Sequence, residues 1–233
     1  MILRDLEVFD RGKAVYTPFG RFVSPITDLY LDLLGSIVRT KGILKVQFRF
    51  YPRNRVPNWP PSIGCGVYED YLPFDFGKWR RLRGIEKRRF VLDAFHQALV
   101  AVAIGQGWPV HEFERAKKAC IERQIEYRGL VLKRWIKHPK LPLSANLAFA
   151  YDETHLNVDV VIRNNEGKLV GSAPAVQKPS GSSQIRRLVR GIKWVKGGRF
   201  VRLLLFVRAG TVGSPDINVF KIINRCAASR SKS

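Results

Sequence analysis

Apolar positions along the chain follow two periods, and the change from one to the other marks out the elements. Leu44, Val46, Phe48 and Phe50 alternate with Lys45, Gln47, Arg49 and Tyr51, which predicts a strand with one buried face. Just upstream, Ile26, Leu29, Tyr30, Leu33, Leu34, Ile37 and Val38 recur at three and four residues. That spacing predicts a helix opened by Ser24-Pro25, after a Pro18-Phe19-Gly20 turn, and closed by Lys41-Gly42. Leu3 to Phe9 reads as a short first strand, and Pro52 to Pro61 as a loop.

A helical hairpin comes next. Ile85, Arg89, Leu92, Phe95, His96, Leu99, Val102 and Ala103 share one helix face, with Arg88 and Asp93 off it. Gly105-Gln106-Gly107 breaks that helix, and Trp108-Pro109 starts another. In the second helix Val110, Phe113, Ala116, Cys120 and Gln124 line one side, and Glu112, Glu114, Arg115, Lys117 and Lys118 face water.

The rest of the chain alternates with period two. Leu143, Ala145, Leu147, Phe149 and Tyr151 form one strand, and Leu156, Val158, Val160 and Ile162 a second after the Asp152-Glu153-Thr154 turn. Asn164-Asn165-Glu166-Gly167 turns into a third strand at Lys168 to Val170, completing a meander. Lys178 to Ser183 has linker composition, Gln184 to Gly191 a short basic helix pattern, and Arg199 to Arg208 an apolar run studded with arginine. Ile217 to Ile223 alternates as a last strand, and Cys226 to Ser233 is a polar tail.

These elements predict an α+β fold: an antiparallel sheet with the helical hairpin packed on one face. Residues 1–178 are expected to form the main domain and residues 179–233 a basic C-terminal segment packed on the same sheet.

Composition adds bounds. Apolar residues make up 45% of the 233, with 14 Phe, 7 Tyr and 5 Trp, so a packed core is expected in spite of the charge. No apolar run reaches the ~18 residues of a membrane-spanning helix. Met1 to Asp5 lacks the layout of a signal peptide. Cys65, Cys120 and Cys226 are odd in number and widely spaced, which disfavours a disulfide framework or a zinc site and points to the cytoplasm.

Charge changes the picture most. The 41 Lys and Arg exceed the 19 Asp and Glu by 22, and from Val160 onward there are fifteen bases against two acids. An anionic partner is implied, either nucleic acid or an acidic protein.

Three segments interleave cations with aromatics. The first carries Arg49, Arg53, Arg55 and Trp59; the second Lys78, Trp79, Arg80, Arg81, Arg83, Lys87, Arg88 and Arg89. The third carries Arg186, Arg187, Arg190, Lys193, Trp194, Lys196 and Arg199. On a nucleic-acid surface these cations would neutralise phosphates while Trp59, Trp79 or Trp194 stacked on an unpaired base. In a purely structural role the tryptophans would plug the core and the arginine stems would cover it. The second segment ranks first, because seven cations from Lys78 to Arg89 would crowd one helix start, where the dipole favours negative charge.

Enzyme signatures are sparse. His96 lies on an apolar helix face, as a core histidine would, and His111-Glu112 has no second histidine four residues on. His138 falls in a loop, His155 beside a turn, and Gly64-Cys65-Gly66 reads as a buried strand cysteine. No metal ligands show recognisable spacing, and no cofactor is expected. Asp159 followed by Glu166-Gly167-Lys168 has the order of carboxylates and lysine used by some metal-dependent nucleases.

The function expected first is therefore a non-enzymatic nucleic-acid-binding protein. The alternative is a protein-interaction module that covers an acidic partner, as a bacterial immunity protein covers a toxin domain. A metal-dependent nuclease comes third.

Overall fold

The computed structural model describes residues 1–10, 17–179, 189–205 and 216–218. The fold is mixed α+β, and the chain divides into two compact units. Met1–Tyr127 with Asp152–Thr154 form one, and Arg128–Tyr151 with His155–Ser233 form the other. The 178/179 boundary considered from composition lies inside the second unit.

The first unit opens with β1 (Asp5–Asp10), α1 (Pro18–Leu34) and β2 (Lys45–Tyr51). β1 and β2 run parallel, from Asp5 opposite Lys45 to Asp10 opposite Phe50, and α1 supplies the crossover that parallel pairing needs. α1 starts earlier than its apolar period suggested. The Thr17 hydroxyl accepts the amide of Gly20 at 3.0 Å, Pro18 takes the first turn, and Pro25 sits inside the helix. It also ends earlier, at Gly35, whose positive φ of 68° suits glycine and whose amide donates to the Leu31 carbonyl at 3.0 Å.

β3 (Ser62–Gly64) and β4 (Val67–Pro73) form a hairpin, and β4 runs parallel to β2, giving the order β1-β2-β4-β3. Cys65 and Gly66 make the hairpin turn, both at positive φ (49° and 77°), so Cys65 is exposed at a loop tip. The buried strand position expected for it is overturned, because a two-residue turn of this hand needs left-handed backbone at both central positions.

α2 (Phe76–Arg81), α3 (Gly84–Gln106) and α4 (Val110–Glu122) complete the unit. α3 and α4 are the expected hairpin, with Val91, Leu92, Phe95, His96, Leu99, Val102 and Ala103 buried on α3 and Phe113, Ala116 and Cys120 on α4. Ile85 and Arg89, placed on the apolar face by spacing, are exposed in the first turns. Phe48 and Phe50 face Phe95 and Phe19 across the core, and Phe19 also touches Phe74, Phe76 and Trp79. Each such large apolar side chain contributes ~1.5–3 kcal/mol on burial.

The second unit contains the meander. β5 (Tyr127–Leu130), β6 (Ile136–Lys137), β7 (Leu143–Tyr151), β8 (His155–Asn164) and β9 (Leu169–Pro179) form one sheet, ordered β5-β7-β8-β9 with β6 also on β7. Leu147, Phe149, Leu156, Val158, Val160 and Ile162 are buried, as their alternation requires. β10 (Val189–Val195), β11 (Phe200–Leu205) and β12 (Asp216–Asn218) form an antiparallel sheet of three. Val189 to Gly191 are therefore strand, where a helix was expected, and the remainder of that pattern, Gln184 to Leu188, lies outside the described residues. So do the linker positions Ser180 to Ser183, the strand pattern beyond Asn218, and the Cys226 to Ser233 tail. Among the described residues no helix is long and apolar enough to cross a membrane.

Candidate functional site

The cations from Lys78 to Arg89 do not crowd one helix start. α2 ends at Arg81, so Lys78, Arg80 and Arg81 stand in its last turn, where the dipole favours positive charge. Arg83 is the N-cap of α3, with no side-chain capping bond, and Lys87 and Arg88 follow it. The penalty foreseen for seven cations is thus confined to the α3 side of the corner. Arg80, Arg81, Arg83 and Arg89 are exposed, and among the described residues none of them forms an ion pair. Arg83 instead donates to the carbonyl of Arg80 at 3.0 Å, folding the corner onto itself.

Five other cations of this unit have acid partners, whereas Arg53, Arg55, Lys78 and Lys118 are exposed without one among the described residues. Arg49 pairs with Glu69 at 2.5 Å and Lys45 with Glu7 at 2.5 Å. Arg88 reaches Glu126 at 3.9 Å, Arg115 pairs with Glu112 at 2.8 Å, and Lys117 with Asp93 at 2.8 Å. Burial pushes the Glu69 carboxyl upward, but hydrogen bonds from Arg49 and Tyr71 outweigh it and hold the group below its usual range. Arg49 and Arg88, expected to face phosphate, are already partnered.

The tryptophans divide sharply. Trp59 is 62% exposed and stands edge-on to Tyr71 at 5.1 Å. Trp79 is only 8% exposed, wedged edge-on against Phe19 and Phe22, with the Lys87 ammonium 4.3 Å from its ring centre. It has no face left for a base, which corrects the expectation for Trp79 and commits Lys87 to a cation–π contact. Trp194 is half-buried: it donates its indole N–H to the carbonyl of Ile136 at 3.0 Å and meets the ring of His138 edge-on at 4.5 Å, which anchors it within the second unit.

A groove of about 720 Å³ opens beside the arginine corner. Arg53, just past β2, and Lys78, on α2, contribute cations, while Phe74 and Phe90 supply apolar surface and Asp93 and Gln97 polar groups from α3. It lies at the carboxyl ends of the parallel strands β2 and β4, where open sheets with crossover helices commonly receive ligands. Phe90 and Gln97 went unnoticed in the sequence, and Asp93 was placed only off the apolar face of its helix. The available signal was a second stripe on α3, Phe90, Ala94 and Gln97, off the main apolar face.

In the third segment Lys193, Lys196 and Arg199 are exposed, with the Lys196 ammonium 4.8 Å from the Phe200 ring centre. Arg190 stands in β10, and Arg186 and Arg187 lie outside the described residues. Arg53 and Arg55 are exposed on a short 3-10 turn.

The remaining chemistry is accounted for by packing. His96 is 4% exposed, with Nδ1 2.9 Å from the Tyr30 hydroxyl and Nε2 3.1 Å from Glu114. His138 accepts two backbone amides at Nδ1, from Lys140 and Leu141, and donates from Nε2 to the carbonyl of Gly198 at 3.1 Å. Asp159 lies mid-strand in β8, and Glu166 stands exposed at the turn tip, bonded by Asn164 at 3.2 Å. About 17 Å of strand separates Asp159 from Asn164, at ~3.3 Å per residue, so the nuclease order of residues is not gathered into one site. Among the described residues no three His, Cys, Asp or Glu side chains converge on a common point.

Compared with protein-family models, curated proteins and solved structures, the chain matches none of them.

Proposed function

We propose that this protein binds nucleic acid without catalysing a reaction on it, through phosphate contacts at the α2–α3 corner and a stacking contact from Trp59. The observation that supports this reading is that Arg80, Arg81, Arg83 and Arg89 are all exposed with no ion pair among the described residues. These guanidinium groups are exposed and outside any ion pair, with the acid Glu86 nearby in the first turn of α3; a polyanion there lowers the repulsion among like charges while releasing its own counterions. The exposed indole of Trp59 adds a sequence-tolerant surface for an unpaired base.

Titration of a labelled single strand and a duplex across salt concentrations tests the reading. Four phosphate contacts predict a log–log salt slope of roughly −3 on a single strand and slightly steeper on a duplex. Absence of binding even at low ionic strength overturns it, and a pull-down against acidic proteins then becomes the informative experiment.

A further inference from the structure

We propose that the groove at the carboxyl ends of β2 and β4 holds one unpaired nucleotide of a bound strand, base inward and phosphate toward Arg53 and Lys78. This rests on the nucleic-acid reading and adds a specific pocket to a surface that otherwise reads only charge.

Three features of the groove fit that occupant. Its volume of about 720 Å³ lies within the roughly 300–1,000 Å³ of pockets that enclose small ligands. Its apolar surface joins Pro73 and Ala94 to two aromatic rings: Phe74 is buried and packs on Phe90 with ring centres 5.3 Å apart, while Phe90 stays half-open to the groove. Aromatic rings and amides are what read splayed-out bases, the ring by stacking and the amide by bonding the base edge. Gln97, one helical turn beyond Asp93 and exposed, supplies that amide.

The charges are sorted in a way that suits a phosphodiester. Both carboxylates are engaged, Asp75 accepting the Lys78 amide at 2.7 Å and Asp93 held by Lys117 at 2.8 Å. Arg53 and Lys78 form no ion pair among the described residues. The Lys78 ammonium rests 5.1 Å from the Phe90 ring centre, a weak exposed cation–π contact that a phosphate can outcompete. Lys78 also belongs to α2, the helix that carries Arg80 and Arg81, so a strand lying on the corner passes the mouth of the groove.

The test compares a uniform thymidine 12-mer with an abasic strand of equal length and equal phosphate count, by fluorescence anisotropy. A Trp59→Ala background removes the exposed indole, so any remaining preference for bases belongs elsewhere. The base-bearing strand should bind roughly tenfold or more tighter, as one stacked base implies. Adding Phe90→Leu should bring the two strands close to parity. Adding Gln97→Ala, an exposed change that leaves the core intact, should cut the preference about threefold. Equal affinities in the Trp59→Ala background overturn the groove and leave the arginine corner standing, as does a preference unchanged by both groove substitutions. No binding of either strand at low salt overturns the nucleic-acid reading and the groove with it.

Discussion

The phenol oxygen of Tyr30 lies 2.9 Å from Nδ1 of His96 and 2.9 Å from the carbonyl oxygen of Phe113, joining α1, α3 and α4 at one buried point. The other ring nitrogen of His96 faces Glu114 at 3.1 Å. A neutral His96 that donates from Nε2 to Glu114 keeps Nδ1 as an acceptor for the phenol. Protonation puts a hydrogen on Nδ1 and leaves the phenol to donate to Phe113. Burial lowers the pKa of His96 below 6.5, against the hydrogen bond and charge of Glu114, with Lys117 adding to the lowering and Asp93 opposing it.

The sign of the pH dependence follows. Because the native state favours neutral His96, the unfolded chain takes up the proton first as pH falls through 6.5. Stability should be level above that pH, decline below it, and level again once native His96 is also protonated. Urea midpoints from pH 8 to pH 5 check this, and His96→Gln should remove that part of the decline. Tyr30→Phe should cost about 1 kcal/mol by removing the phenol from both partners.

Reversing Arg80, Arg81 and Arg83 to Glu should weaken binding of a single strand at least tenfold more than reversing Arg115, Lys117 and Lys118. The net charge change is the same, and Arg115 and Lys117 are already neutralised by Glu112 and Asp93. Equal losses in anisotropy titrations would mean a diffuse field without a site.

Trp59 and Trp79 should respond oppositely to truncation. Trp79→Ala removes the wedge between Phe19 and Phe22 and should cost ~3–5 kcal/mol. Trp59→Ala should change stability by no more than ~0.5 kcal/mol while weakening strand binding. Chemical denaturation and anisotropy, run on both variants, separate the two roles.

The cysteines differ in reactivity for a structural reason. Cys65 is exposed at the β3–β4 turn, whereas Cys120 is fully buried and burial pushes its thiol up to about 12. In a Cys226→Ser background, an aromatic disulfide reagent should titrate one thiol in the native protein and a second only in denaturant. Rapid native labelling of both would contradict the packing of α4.

Gly198→Ala should damage the second unit. Its φ is +92°, and a Cβ placed there would overlap the His138 ring that bonds the Gly198 carbonyl. The combined backbone and steric cost is at least about 2 kcal/mol. A lower urea midpoint, or faster proteolysis of this unit, would register it.

Much of this architecture is legible in the residues. The α3–α4 hairpin and the β7–β8–β9 meander follow from periods of 3.6 and 2, because each element buries one face against a local neighbour. The parallel pairing of β1 with β2 was not read from the sequence, although strand, long helix, strand is the order of a crossover unit. α1 hid its start because Thr17 and Pro18 are capping residues that carry no apolar period. The fates of Trp79 and Trp194 depended on partners far along the chain, Phe19 and Ile136 respectively, which local pattern does not reveal. The arginine corner was visible as composition. The groove beside it was not, because it gathers positions after β2, after β4 and midway along α3, each unremarkable alone.

The pairing of β1 with β2 has a kinetic side. Asp5 meets Lys45, forty positions later, whereas Tyr151 and Leu156 meet across a turn of four residues. Closing the longer span sacrifices more chain entropy, so the β7–β8 ribbon zips early while β1 waits for its neighbour. During refolding, pulsed deuterium exchange should find protected amides in β7 and β8 before β1 gains any. Were β1 shielded first, the order of assembly would have to be reversed.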